Sequence, residues 1–237
     1  MRIDGLLILV VSLESATDRR VKASAQLQNS DFAFVSAIDG STDQSMGNRF
    51  VTAPVDAIWH SHKKAYNEFL SSNEEFCLIL EDDFLITEPD SLIESLNLLT
   101  KYEFDLFQLG WLETGTDIRM LKLIDGFTYF LFRCLNRVSR FMPNLRKALQ
   151  KKMRPRRTSR YPSTVIPDSF LPGAHGYVIS RTFAENVLTL NDPTFLSADD
   201  FLIAITKMRS FDVCRSRKNL IAQLGHSMAG TNRFTQK

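Results

Sequence analysis

Short, almost wholly apolar runs alternate along this chain with longer stretches in which apolar residues recur every three or four positions. The pattern predicts a buried strand over Ile3–Val11 and a helix over Ala16–Leu27, starting near Thr17-Asp18. A second strand follows over Phe32–Ile38, closed by the turn pair Asp39-Gly40. Residues 41–54 are polar and broken by Gly and Pro, hence a loop. Ala57–Ser71 reads as a helix with Trp59, His62, Tyr66 and Phe69 on one face. Phe76–Leu80 is a continuous apolar run, the mark of a strand buried on both faces, and Glu81-Asp82-Asp83 ends it abruptly. Asp90 is placed to cap a helix carrying Leu92, Leu96 and Leu99. Phe104–Leu109 and Gly176–Ser180 read as strands, and Arg181–Leu190 and Ser197–Met208 as helices. Phe127–Phe132 fits strand or helix equally, and the chain after Gly225 reads as loop. Strands alternating with helices predict an α/β layered fold with a mostly parallel central sheet. In such sheets the ligand crevice lies beyond the carboxyl ends of the strands.

With 237 residues the chain is long enough to bury one large core without disulfides or structural metals, and a single domain over 1–237 is expected. At 44% hydrophobic and 24% charged, its composition excludes a disordered or polytopic membrane protein. The apolar run from Gly5 to Val11 follows only Arg2 and lacks a small-residue cleavage site, so it reads as a strand rather than a signal peptide. Cys77, Cys134 and Cys214 are an odd number without metal-ligand spacing, which points to a reducing, cytoplasmic setting.

The formal charge of +2 conceals an asymmetry. Between Gly126 and Pro167 there is no acid and there are eleven Lys or Arg residues, leaving −9 for the remainder. Within 127–160, Phe127, Phe130, Leu131, Leu135, Val138 and Phe141 interleave with Arg133, Arg137, Arg140 and Arg146. As a helix, broken near Pro143, this segment has one apolar and one cationic face, as interfacial membrane helices do. It is read as a basic amphipathic insertion facing an anionic membrane surface. It also suits the phosphates of an acceptor, or a solvated loop.

Three consecutive carboxylates at the end of a buried strand are costly, because like charges repel where water is scarce. If extended geometry persists, alternation puts Glu81 and Asp83 on one side and Asp82 on the other. Two converging carboxylates suit a hard divalent cation, Mg²⁺ or Mn²⁺, held together with substrate phosphates. A solvated turn that merely stops the strand accounts for the same residues.

Several segments together resemble glycosyltransferase family 25, the lipooligosaccharide and collagen galactosyltransferase family. They are Val11-Ser12-Leu13 with Arg19-Arg20, then Phe34 to Gly40, then Ser61-His62, then Leu78-Ile79-Leu80-Glu81-Asp82-Asp83 as the most specific. The last is Gly173-Ala174-His175-Gly176-Tyr177-Val178-Ile179-Ser180-Arg181, with Ala198-Asp199 downstream. The resemblance implies a GT-A-like nucleotide-diphospho-sugar transferase fold and transfer of a hexose, commonly galactose from UDP-galactose. The acceptor is then a hydroxyl of a surface glycan or lipopolysaccharide, and the reaction inverting.

On that reading Glu81 and Asp83 hold the metal, and Ser12, Arg19, Arg20, Asp39, Asp82 and His175 contact the nucleotide sugar. Each has a plainer alternative: an exposed helix face for the arginines, an Asp-Gly turn for Asp39. Ser197-Ala198-Asp199-Asp200 has capping-box spacing, which gives Asp200 a structural task and leaves Asp199 as the general base. His62 reads as a satisfied core histidine rather than a catalytic one, and His226 as part of the tail rather than a metal ligand. The expected setting is peripheral, on the inner face of the plasma membrane, with a lipid-linked glycan acceptor and no nucleic acid. Two rival readings are a metal-dependent nuclease or phosphoryl-transfer enzyme, and a catalytically degenerate sugar-binding protein of the same fold.

Overall fold

A computed structural model describes residues 4–43, 45–112, 161–206 and 211–224. The chain runs β1 (Leu6–Ser12), α1 (Thr17–Gln26), β2 (Ala33–Ser36), α2 (Ala53–Ser71), β3 (Phe76–Glu81) and β4 (Phe84–Ile86). It continues through α3 (Pro89–Leu96), which tightens into a 3₁₀ turn over Asn97–Thr100, β5 (Leu106–Gln108) and β6 (Val165–Pro167). After β7 (Gly176–Ser180) come α4 (Arg181–Val187), α5 (Ala198–Thr206), β8 (Val213–Ser216) and β9 (Ile221–Gln223).

Seven strands form one sheet in the order β2-β1-β3-β7-β5-β8-β6. β1, β2, β3, β5 and β8 run one way, while β7 and β6 are antiparallel to their neighbours. β4 and β9 pair separately as a small antiparallel ribbon. Helices cover both faces. Cys77 and Ile79 of β3 pack into one apolar layer with α2, α4 and α5, whereas Leu78 and Leu80 pack into the opposite layer with α1 and α3. This two-sided burial is why the strand carries no polar alternation. The architecture is the layered, mostly parallel α/β arrangement expected of a GT-A-like domain.

Local chemistry explains most element boundaries. α2 begins four residues before the expected Ala57, because Pro54 sits in the first turn, where a missing N–H costs nothing. Its face of Trp59, His62, Tyr66 and Phe69 is fully buried, as the periodicity predicts. α3 is preceded by Glu88, so Asp90 is not its cap and instead lies in its first turn, facing the positive end of the helix dipole. Ser180 caps α4, its hydroxyl accepting from Phe183 N at 3.1 Å. Strands β4, β6, β8 and β9 have three or four residues each, too few for a period to show in sequence. Cys77 and Cys214 are buried free thiols. The basic insertion, the Phe127–Phe132 run, Cys134 and His226 lie outside the described residues. Among the described residues, no helix is long and apolar enough to cross a membrane.

Candidate active site

The carboxyl ends of β1 and β3 lie side by side, with Val11 paired to Glu81. Two polar constellations grow from that edge. Asp82 turns away from the strand and is buried. Ser12 Oγ donates to its Oδ2 at 2.6 Å, and Arg19 Nη1 stands 3.2 Å from its Oδ1. Arg20 completes the group: its Nε donates to Ser12 Oγ at 3.2 Å, and its guanidinium lies over the Phe34 ring at 4.8 Å. Burial raises the Asp82 pKa, partly offset by the Ser12 hydrogen bond and the Arg19 charge. The structure thus gathers Ser12, Arg19, Arg20 and Asp82, with Arg19 about half exposed and open to a ligand. Asp39 is not shown joining them. Its carboxylate accepts from Ser41 N and Ser41 Oγ within its own turn, and these bonds hold its pKa below the ordinary value.

Glu81 and Asp83 lie on the other side, although the strand ends at Glu81 and a turn at 82–83, rather than extended alternation, sets how Asp82 and Asp83 face. Gln223, from β9, reaches both: its Nε2 is 3.1 Å from Asp83 Oδ2 and 3.4 Å from Glu81 Oε2. Burial, then the neighbouring Glu81 charge, pushes the Asp83 pKa up to about 7. Asp83 Oδ1 is buried with no hydrogen-bond partner among the described residues. Burial also works to raise Glu81, but the His62 hydrogen bond and the positive charge that His62, His175 and Arg19 can carry beside it outweigh it and leave its pKa lowered. Among the described residues no three His, Cys, Asp or Glu side chains are gathered for a metal. Two hard carboxylates, one with an oxygen unpartnered among the described residues, nonetheless fit a Mg²⁺ or Mn²⁺ ion by their donor chemistry.

Glu81 also lines a cleft of about 230 Å³ together with Gly173, His175, Asp199, Asp200 and Gln223. Asp199 sits in the first turn of α5, and its Oδ2 accepts from Gly173 N at 3.1 Å. Burial first, then the charges of Glu81 and Asp200, raises its pKa to about 7. Asp200 engages the start of its helix instead: Ser197 Oγ donates to its Oδ2 at 2.7 Å and accepts from its N–H at 3.2 Å. The helix-start task expected of Asp200 is therefore present as geometry.

His175 is buried beside Glu81, and its backbone carbonyl accepts from Glu81 N at 3.1 Å. Its Nε2 bonds the Ile221 carbonyl at 2.9 Å, so Nε2 carries the proton and the buried Nδ1 has no partner among the described residues. Burial lowers its pKa and keeps it neutral. Gly110 makes this packing possible: a Cβ there would stand 2.3 Å from Ile221 O and 2.8 Å from His175 Nε2. Gly173, at φ +122°, adopts backbone geometry closed to other residues and turns its N–H to Asp199.

Sequence reasoning missed two residues. Gln223 sits in a three-residue strand with no pattern to flag it. Tyr177 bonds His62 at 2.7 Å, and its place within the Gly173–Arg181 motif is the one sequence signal that points to it. His62 is the satisfied buried histidine expected, but one of its partners is Glu81.

No curated protein matches this chain. Among solved structures, the crystal structure of A197 from STIV aligns over 96% of this chain and 96% of that one, at 11% identity and a TM-score of 0.44. The family model described as glycosyltransferase family 25 (LPS biosynthesis protein) matches residues 6–202, from the first strand through the middle of α5, and so takes in every candidate site residue except Gln223. With the motif residues brought to one sheet edge and one cleft, and most of the chain matched, the protein belongs to glycosyltransferase family 25.

Proposed function

We propose that this glycosyltransferase moves a hexose, galactose from UDP-galactose, to a hydroxyl of a lipopolysaccharide or other surface-glycan acceptor, with inversion at the anomeric carbon. The observation that carries the reading is Asp199. Its carboxylate lines the same cleft as Glu81, is held by Gly173 N–H, and has a pKa near the pH at which it would work. A base is most effective with its pKa close to ambient pH. In the displacement the acceptor oxygen bonds the anomeric carbon as the bond to the UDP oxygen breaks, and the hydroxyl proton passes to Asp199.

Glu81 and Asp83 would hold Mn²⁺ or Mg²⁺, which when bound neutralises charge on the departing diphosphate. Arg19 adds a second positive charge on the nucleotide side. Ser12, Asp82 and Arg20 form a rigid, fully paired floor against which a nucleoside would rest. His175 closes the back of the cleft, with its ring fixed by Ile221. The basic insertion, 127–160, would hold the protein at the anionic inner leaflet, where a lipid-linked acceptor resides.

The test is calorimetric titration with a panel of UDP-sugars, with and without Mn²⁺, followed by a donor-hydrolysis assay. Tight UDP-galactose binding that needs Mn²⁺, and slow hydrolysis of that donor alone, are expected. Binding of every UDP-sugar without hydrolysis would identify a degenerate sugar-binding protein. Cleavage of nucleic acid with no donor binding would overturn the reading.

A further inference from the structure

Glu81 is tied to the protein interior by a line of polar side chains that the reaction above does not use. His62 Nε2 lies 3.4 Å from Glu81 Oε1, His62 Nδ1 lies 2.7 Å from the Tyr177 hydroxyl, and that hydroxyl lies 2.9 Å from the Tyr66 hydroxyl. His62 and Tyr66 are one helical turn apart on α2, and Tyr177 faces them from β7, the strand next to β3. All three are at most 1% exposed, packed among Trp59, Phe69 and Phe170.

Such a line is an expensive way to fill a core. Phenylalanine at positions 66 and 177 would occupy nearly the same volume without polar atoms, and each buried polar group left unpaired costs about 1–3 kcal/mol. For a neutral His62 the chain of bonds has one consistent proton order. The Glu81 carboxylate is ionised and can only accept, so the proton on His62 is at Nε2. Nδ1 then accepts, and the hydroxyl within reach is that of Tyr177. The Tyr177 oxygen in turn accepts from Tyr66. Burial holds both phenols protonated, with Tyr66 and Tyr177 raised above the ordinary value. A histidine with both nitrogens engaged cannot rotate or change tautomer without breaking a bond.

We propose that His62 is a positioning residue for sugar transfer: its Nε2–H, locked in one tautomer by the Tyr66–Tyr177 hydroxyl pair, fixes the orientation of the Glu81 carboxylate at the cleft. The inference rests on the reading of Glu81 as a ligand of the diphosphate-bound cation. Ligand carboxylates are commonly oriented in this way by outer partners.

The experiment compares wild type, Tyr177→Phe, His62→Gln and His62→Leu by ¹⁵N NMR of the histidine ring, Mn²⁺ titration and transfer kinetics. Wild-type His62 is expected to show a single Nε2-protonated tautomer, and Tyr177→Phe a mixture of the two. Mn²⁺ affinity and kcat of Tyr177→Phe should each fall about 10-fold, the low end of such outer-partner effects, with acceptor KM unchanged. His62→Gln, whose amide can still donate to Glu81 and accept from Tyr177, should retain most Mn²⁺ affinity, whereas His62→Leu should not. An Nδ1-protonated wild type would overturn the inference. So would a Tyr177→Phe variant that loses only thermal stability. If wild type binds no Mn²⁺, the cation reading fails by itself. The positioning inference then stands or falls on whether Glu81→Gln shifts the His62 ring signals, and unchanged signals would overturn it.

Discussion

Ser12, the last residue of β1, and Asp82, in the turn after β3, share a 2.6 Å hydrogen bond across seventy positions of sequence. Their strands are parallel neighbours, so both reach the same edge of the sheet. The bond lets a buried carboxylate stay at that edge with Arg19, half exposed, as its ion-pair partner and Arg20 close by. Ser12→Ala removes a donor to a buried acid and is expected to destabilise the protein by about 1–3 kcal/mol. In a chain of this length that lowers Tm by roughly 2–4 °C per kcal/mol, readable by scanning calorimetry.

Asp199→Asn keeps the hydrogen bond to Gly173 N–H through its amide oxygen but loses the proton acceptor. Donor binding should persist, with kcat falling about 10²–10⁴-fold, the range for a lost general base. Asp200→Asn should act on stability instead, by about 1 kcal/mol or less, because its carboxylate serves the start of α5. Parallel kcat and urea-denaturation measurements separate the two, and exchanged phenotypes would reverse the assignments.

The raised carboxyls make a prediction for pH. Asp83 and Asp199 have folded-state pKa values of about 7, against an ordinary 3.8. Between those values the folded state binds more protons than the unfolded state, so these groups make stability fall as pH rises from about 4 to 7. The metal-free protein should therefore melt at a lower temperature at pH 8 than at pH 5.5. The Asp83→Asn, Asp199→Asn double variant should flatten that slope. Asp83→Asn alone should also abolish Mn²⁺-dependent donor binding, and wild-type turnover by that variant in EDTA would remove the metal role.

Gly110 is a packing requirement rather than a flexible point. A methyl group there would meet the Ile221 carbonyl and the His175 ring, both held in place by the sheet and by each other. Gly110→Ala is expected to cost about 1–3 kcal/mol through overpacking and to displace His175. Loss of stability with unchanged donor affinity would show that His175 does not touch the sugar.

Replacing Lys151, Lys152, Arg154, Arg156 and Arg157 by Gln tests the membrane reading. Sedimentation with anionic vesicles should weaken, as it should for wild type at high salt, where screening shortens the reach of each charge. Turnover on a soluble acceptor should not change. Equal sedimentation with neutral vesicles would rule out the electrostatic account.

What the sequence determined by itself follows from local regularities. The apolar run of β3 had to be buried on both faces, and the stripe Trp59-His62-Tyr66-Phe69 had to face a core, because period and continuity survive without knowledge of neighbours. The helix-start roles of Ser197 and Asp200 followed from their spacing, whereas the facing of Asp82 and Asp83 is set by the turn that they form after β3. The tertiary structure decided what depends on partners distant in sequence. It inserted β7 antiparallel between β3 and β5, which brings Tyr177 to His62 and His175 to Glu81. It delivered Gln223 to the acidic pair on a strand too short to carry a period. It committed Asp39 to its own turn, a choice that the pair Asp39-Gly40 leaves open. Sheet order is settled by which faces must be covered when all elements pack together, and no window of sequence holds that information.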